Sequence, residues 1–375
     1  MAGIYIHIPF CRKPCFYCDF HFSISQKNKD QLLDAINWEI HAKSEFFGKD
    51  NFIDTIYFGG GTPSVLSQGE IERILDSVRS AFNVNPIAEV SFECNPDDLD
   101  KTYLQSLYDA GINRLSIGIQ SFNDETLKWM NRSHTNNQSL ECIKYASEVG
   151  FKDITIDLIY GIPHLTNKEW QATVDDALNL PINHISAYSL TLENNTPYNR
   201  LVNQKKYKKP NNEGASEQFK LLIAAINKKG WEHYEVSNFC KTGNYSKHNT
   251  AYWQHKKYLG VGPSAHSYNL EKRFWNVANN KKYIEMYENK VTWFESESLT
   301  RADNINEYLL TGLRTKWGIN LDELSTKFNF GFSKSNLTKL SKWAEKGWVK
   351  VNKKNIVLTT EGFLFADYIS SELFI

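Results

Sequence analysis

The chain has 375 residues, 41% apolar and 14% aromatic, which is enough for a sizeable core and more than one typical domain requires. Lys+Arg and Asp+Glu balance at 43 each, so overall charge favours neither a nucleic acid nor an acidic lipid surface as partner. The six cysteines do not form a secreted disulfide framework, and neither a basic leader nor an 18-residue apolar run is found, so a reducing cytoplasm is the expected compartment.

In chain order, an apolar strand, Ile4-Tyr-Ile-His-Ile8, runs into Cys11-Arg-Lys-Pro-Cys15-Phe-Tyr-Cys18. A tetrahedral zinc site wants four protein ligands, and no fourth Cys or His follows at finger or ribbon spacing. A cubane iron–sulfur cluster also normally takes four thiolates. Three on one tight loop would leave one iron open to an outside ligand with adjacent amine and carboxylate groups. Cys94, Cys142 and Cys240 lie scattered and are expected to be reduced core thiols.

Further apolar, β-branched runs recur at 54–58, 88–92, 114–119, 153–158 and 184–190. Stretches of helical period at 29–47, 68–82, 99–110, 137–149, 167–179 and 213–229 lie between or after them. Asp97-Asp98 precedes one helix, Gly111 ends it, and Gly150 ends the next. Six β/α units in series predict a parallel sheet with right-handed crossovers. A closed eight-unit barrel takes about 250 residues. The alternation here stops by residue 230, so the expected fold is α/β, a partial (βα)6 TIM-like barrel.

Polar residues gather at the strand ends. The second strand runs into Gly59-Gly60-Gly61-Thr62-Pro63-Ser64, and the third ends in Glu93-Cys94-Asn95-Pro96. The fourth ends in Gln120-Ser121-Phe122, and the fifth reaches Asp157 before Gly161-Ile-Pro163. Ligands of parallel α/β folds bind beyond the carboxyl ends of the strands, so these residues share one expected pocket with the cysteine loop. Singly, each has a structural use: a tight turn for the glycines, a loop amide for Gln120, a helix cap for Asp157.

The loop and strand ends together resemble the radical S-adenosylmethionine (SAM) superfamily, whose CxxxCxxC signature the loop matches letter for letter. Within it the chain is similar to the coproporphyrinogen III oxidase-like branch, in its heme-chaperone subgroup. Tyr5-Ile-His-Ile-Pro-Phe10, the Gly-Gly-Gly-Thr-Pro-Ser turn, Glu93–Pro96, Ser116-Ile-Gly-Ile-Gln120-Ser-Phe and Asp157–Pro163 carry that likeness. It implies a [4Fe–4S] cluster held by Cys11, Cys15 and Cys18 as thiolates, with the amine and carboxylate of SAM on the open iron. It implies Gly60, Gly61 and Thr62 near the methionyl amine, where glycine lets the backbone approach closely. Glu93 and Arg132 would meet polar groups of the methionine part, and Gln120 and Asp157 the ribose hydroxyls. Tyr5 would sit near the cluster and sulfonium, and Tyr17 near the adenine. The implied chemistry is one-electron reduction of the sulfonium to methionine and a 5′-deoxyadenosyl radical, with an electron donor as partner.

Departures sort the branch. Its oxidases carry a further cysteine two residues after the third, and a long arm before the cluster. Here Asp19 and Phe20 follow Cys18, and the first strand begins at residue 4. Conversely, His248-Asn-Thr-Ala-Tyr252-Trp253 matches the HNxxYW pattern of the chaperone subgroup. The resemblance makes His248 a heme ligand with aromatic residues to flank a porphyrin, and His266 on its Gly-rich turn a second candidate.

After a Lys/Asn-rich stretch at 279–290, helical patterns near 303–315, 320–328 and 333–347 precede a hairpin with its turn near Lys353–Asn355 and a last helix. This looks like a winged-helix module. Its lysines are interspersed with acidic residues and with Trp343 and Trp348, which favours covering a substrate or docking a partner over binding nucleic acid. The expected organisation is a barrel over 1–230, a connecting region with the HNxxYW motif over 231–300, and a C-terminal domain over 301–375. The expected function is a heme chaperone that passes heme to acceptor hemoproteins. The alternative is an oxygen-independent coproporphyrinogen III oxidase of heme biosynthesis. A homodimer and a peripheral visit to the membrane during delivery stay open.

Overall fold

A computed structural model describes residues 2–48, 52–292 and 294–375. The six predicted strands form as β1 (Ala2–Ile8), β2 (Ile53–Gly60), β3 (Val84–Cys94), β4 (Arg114–Gln120), β5 (Asp153–Tyr160) and β6 (His184–Ser189). Each pairs in parallel with the next. Capping boxes start three of the intervening helices, with Ser67 paired to Glu70, Thr135 to Gln138 and Thr166 to Glu169.

Side chains alternate along these strands. Ile4, Ile6, Phe58, Phe92, Ile117 and Ile156 join the apolar core together with the buried faces of the helices. On the other face Tyr57, Glu93, Ser116, Asp157, Ser186 and Tyr188 surround a small cavity of about 50 Å³. The interior of the partial barrel is therefore polar, and its outer face is apolar.

Residues after 230 extend the same sheet at both ends. β7 (Glu232–Glu235) and β8 (Asn238–Cys240) add antiparallel strands beyond β6. At the opposite end β9 (Tyr258–Val261) pairs in parallel with β1. β10 (His266–Tyr268), β11 (Lys272–Trp275) and β12 (Glu295–Ser298) continue outward from β9. The strand that leads into the cysteines thus lies inside the sheet, between β2 and β9.

The C-terminal part packs the helices Arg301–Leu313, Leu321–Phe328 and Lys334–Glu345 with a three-stranded sheet of β13 (Ile319–Asn320), β14 (Val349–Val351) and β15 (Asn355–Leu358). The hairpin turn closes through Asn352 N donating to the Asn355 carbonyl at 3.0 Å. Main-chain bonds from Val236 N to Arg314 O (3.0 Å) and Lys316 N to Tyr234 O (2.9 Å) tie this part to β7, beside an ion pair of Lys316 with Glu232. Among the described residues, no helix is long and apolar enough to cross a membrane.

Candidate cluster and cofactor site

Beyond β1 the chain turns over the carboxyl end of β2. Gly61 N donates to Ile8 O at 2.9 Å and Thr62 N to Phe10 O at 2.7 Å, so the glycine turn is bonded directly to the stretch leading into the cysteines. A Cβ on Gly61 would stand 2.6 Å from the Phe10 carbonyl oxygen. Gly60 has φ +113°, and a Cβ there would stand 2.7 Å from the His7 ring. Both positions need glycine, one for close approach and one also for its backbone angle. The far side of the loop is braced too: Phe16 N donates to Met130 O (3.1 Å), Tyr198 N to Phe16 O (2.8 Å), and Asn131 Nδ2 to Pro14 O (2.7 Å).

All three loop thiols are free and half-buried. Thr62 Oγ1 donates to Cys11 Sγ at 3.4 Å, and an Arg132 guanidinium N–H to Cys15 Sγ at 3.3 Å. Burial pushes the Cys11 thiol up to about 11 and the Cys18 thiol up to about 12. Without a cation both stay protonated at neutral pH, and metal binding would displace their protons. No three Cys, His, Asp or Glu side chains among the described residues converge on a single metal ion; it is the donor chemistry, three soft thiols on one braced, half-buried loop, that suits an iron–sulfur cluster.

Arg132 gives the second sign of a ligand. Its other terminal nitrogen donates to Asn95 Oδ1 and to Gly118 O, both at 2.8 Å. Its buried Nε has no partner among the described residues. An unpaired buried donor is costly, and an anionic group of a bound cofactor would satisfy it. Tyr17 lies against both Cys15 and Arg132, and burial raises its hydroxyl well above the usual range. Gln120 ends β4 with φ 64°, a left-handed conformation that costs about 1 kcal/mol or more for a residue other than glycine. An added Cβ on Gly118 would meet Gln120 Nε2 at 2.9 Å and Arg132 at 3.2 Å, which puts the amide and the guanidinium side by side.

Glu93 anchors the interior. Tyr57 Oη donates to its Oε1 at 2.8 Å and Gly60 N to its Oε2 at 3.3 Å. Burial raises the Glu93 carboxyl to about 7, against the opposing pull of the Tyr57 hydrogen bond, and Asp157 nearby adds to the rise. Burial likewise raises Asp157 to about 6 while Ser116 Oγ lies 3.4 Å from both its oxygens. Tyr5 stacks on Tyr57 with centroids 6.0 Å apart, and its hydroxyl lies 3.2 Å from His7 Nδ1. The structure thus links the glycine turn, Thr62, Glu93, Gln120, Arg132, Tyr5 and Tyr17 around the cysteine loop, and sets Asp157 beside Glu93 in the interior.

His248 lies elsewhere in character. It is 2% exposed on the short helix Lys247–Trp253, whose first two amides donate to Glu89 at 3.0 Å each. Its Nδ1 meets Thr55 Oγ1 and its Nε2 meets Tyr252 Oη, both at 2.8 Å, and its ring stacks on Tyr57. The resemblance implies this imidazole as a heme ligand; in the structure both nitrogens have protein partners, and the ring braces β1 and β2 against the helix. Beside the cysteine loop, Tyr5, His7, Tyr252, Tyr258, His266 and Arg273 line a larger cavity of about 500 Å³. Tyr57, Thr55 and Glu89 are further polar positions of this region that no motif marks, while Asn95 lies within the Glu93–Pro96 segment. A polar letter at every second place within apolar runs, as in Thr55-Ile-Tyr57 and Glu89-Val-Ser-Phe-Glu93, is the signal that carries most of them.

The chain is similar to known proteins in sequence and in fold. Residues 5–177 match the Radical SAM superfamily, and residues 299–365 match the HemN C-terminal domain. The chain is 32% identical over 370 residues to heme chaperone HemW of Bacillus subtilis (strain 168), covering 98% of this chain and 97% of that one. It is 30% identical over 370 residues to heme chaperone HemW of Mycobacterium tuberculosis (strain ATCC 25618 / H37Rv), covering 97% and 93%. The structure of coproporphyrinogen III oxidase (HemN) from Escherichia coli, a radical SAM enzyme, matches it with a TM-score of 0.85 at 26% identity, covering 99% of this chain and 89% of that one. The chain belongs to the radical SAM superfamily and, within its coproporphyrinogen III oxidase-like branch, to the HemW family.

Proposed function

We propose that this protein is a heme chaperone, which binds heme and hands it to acceptor hemoproteins. The observation that carries this reading is the likeness to HemW heme chaperones along nearly the whole chain. Cys11, Cys15 and Cys18 would hold a [4Fe–4S] cluster; SAM would lie over the Gly60–Thr62 turn, with Glu93, Gln120, Arg132 and Asp157 orienting it. When bound, that pair of groups supplies one-electron reduction of a sulfonium. Arg132 does two jobs in this chain, hydrogen-bonding Cys15 and offering its unpaired Nε to the ligand. Glu93 holds the amide of Gly60, and so keeps the turn bonded beneath the cysteine loop. An electron donor would approach the exposed side of the loop, where Arg12 and Lys13 face solvent. The barrel region over 1–230 would carry cluster and SAM, and 301–375 would cover cargo or dock a partner. We assign the work to the cytoplasm.

The similarity to the HemN structure favours a second reading, oxygen-independent decarboxylation of coproporphyrinogen III. Against it, Phe20, 68% exposed, stands where the oxidases of the branch place a further cysteine. One experiment separates the two. The protein is loaded anaerobically with iron, sulfide and SAM, and offered either heme with a heme-free acceptor hemoprotein or coproporphyrinogen III with a reductant. Heme reaching the acceptor faster than from free heme supports the chaperone. Protoporphyrinogen formed at an enzymatic rate overturns it.

A further inference from the structure

The 500 Å³ cavity beside the cysteine loop falls within the range of about 300–1,000 Å³ typical of pockets that bury a whole organic ligand. Four imidazoles line it. His7 spends Nε2 on the His21 carbonyl (3.0 Å) and Nδ1 on the Tyr5 hydroxyl (3.2 Å). His255 engages Thr311 Oγ1 at 2.8 Å and the Glu307 backbone. His21 has Nε2 on Asn280 Oδ1 at 2.8 Å. His266 is different: it is exposed, its ring stacks on Trp275 at 6.2 Å, and neither of its nitrogens has a hydrogen-bond partner among the described residues.

Two more groups of the same cavity point to a ligand. The Nε1 of Trp253 is buried and unpartnered among the described residues. Arg273, 42% exposed, pairs with Glu307 at 2.7 Å and Glu297 at 3.8 Å. The arm paired with Glu297, exposed on both sides, can exchange that carboxylate for another at little cost while the other arm keeps Glu307. The walls between these groups include the rings of Tyr252, Tyr258 and Tyr268. An aromatic slot with one free imidazole and a carboxylate-binding arginine is the chemistry of a metalloporphyrin that bears propionates.

We propose that this cavity seats the heme cargo, with His266 as the iron ligand and Arg273 as the partner of a propionate. The assignment rests on the heme-chaperone reading. It separates the role of His266 from that of His248, which braces the wall of the cavity through Tyr252. Burial and the charge of Arg273 lower the pKa of His266.

The test is an anaerobic titration of the full chain with hemin, followed by absorption and electron paramagnetic resonance. Wild type, His266→Ala and Arg273→Gln are compared, and melting temperatures verify folding. His266→Ala is expected to lose the imidazole-ligated spectrum and to bind about 10-fold or more weakly, the scale on which even outer-sphere partners of a metal act. Added free imidazole should restore the spectrum. Arg273→Gln should weaken hemin but leave hemin dimethyl ester unchanged. An unaltered spectrum and affinity in folded His266→Ala overturns this assignment while the chaperone reading stands. Absence of hemin binding by the wild-type chain overturns both.

Discussion

Replacing Gly61 by alanine tests the coupling between the glycine turn and the cysteine loop. The new methyl group would meet three main-chain atoms, Phe10 O at 2.6 Å, Phe10 N at 2.9 Å and Ile8 O at 3.0 Å, where ordinary contact begins at 3.4 Å. None of these belongs to a flexible side chain that could swing aside. Relief requires the strand end to retreat by several tenths of an ångström, which also stretches the 2.7 Å bond from Thr62 N to Phe10 O. Overpacking costs about 1–3 kcal/mol and a weakened hydrogen bond about 1 kcal/mol more, so about 2–4 kcal/mol is expected. At an unfolding entropy of about 2.1 cal/mol/K per residue, a chain of 375 residues loses about 3–5 °C of melting temperature. Cys11 directly follows Phe10, so the displacement reaches the first cluster ligand. Differential scanning fluorimetry of the apo protein, with iron and sulfide counted after anaerobic reconstitution, reads both effects. Gly69→Ala is the control: it has no atom within 4 Å, lies in the first turn of the helix Gln68–Ala81, and should stabilise by up to about 1 kcal/mol. A Gly61→Ala protein that melts with wild type and loads a full complement of iron would refute the coupling.

Three further outcomes follow from the same geometry. His248→Ala leaves the hydroxyls of Thr55 and Tyr252 without their partner and opens a void at β1 and β2, so the apo protein should lose about 3–5 kcal/mol in a denaturant titration. Hemin affinity of the folded fraction should change only a few-fold. Arg132→Lys cannot reach Cys15, Asn95 and Gly118 together, and loss of a charge-assisted bond of about 1.5–3 kcal/mol predicts SAM binding about 10–100-fold weaker by equilibrium dialysis. Glu93 titrates higher in the fold (about 7) than its ordinary 4.5, so its protonated form is favoured by folding. Its contribution in the apo protein is complete below about pH 4.5 and is lost as pH rises through 7, on the order of 3 kcal/mol in all. Glu93→Gln should flatten that slope in melts taken between pH 5 and 8, leaving the smaller dependence from Asp157; an unchanged slope refutes the burial argument.

The part of the fold that follows local rules is legible in the letters. β1 to β6 announce themselves because each is an apolar run bounded by turn residues, and the helices between them carry capping pairs such as Thr166 and Glu169. The edge strands are not legible. β9 is four residues with a glycine inside, β7 is Glu-His-Tyr-Glu, and β8 has three residues, so none shows a usable period. Their pairing is decided by the open edges of β1 and β6, which the sequence does not display. The cysteine spacing and the Gly-Gly-Gly-Thr-Pro-Ser turn are local and stand out. By contrast, the state of His248 depends on Thr55, far away in the chain, and the free state of His266 depends on which neighbours fail to reach it. Alternate polar letters on β2 and β3 do foretell an interior that is not apolar, because a period of two assigns them to one face.

The neighbour that β1 acquires in β9 has a consequence for biosynthesis. Ile6 and Val261 are partners in that pairing, and the latter leaves the ribosome about 255 residues after the former. At about 5–20 residues per second, the first strand waits on the order of ten seconds to a minute with one row of amides and carbonyls unmatched. Throughout that interval the thiols downstream of it belong to a half-assembled wall, open to oxidation and to foreign metals. The nascent polypeptide needs shelter at its beginning until its last third arrives.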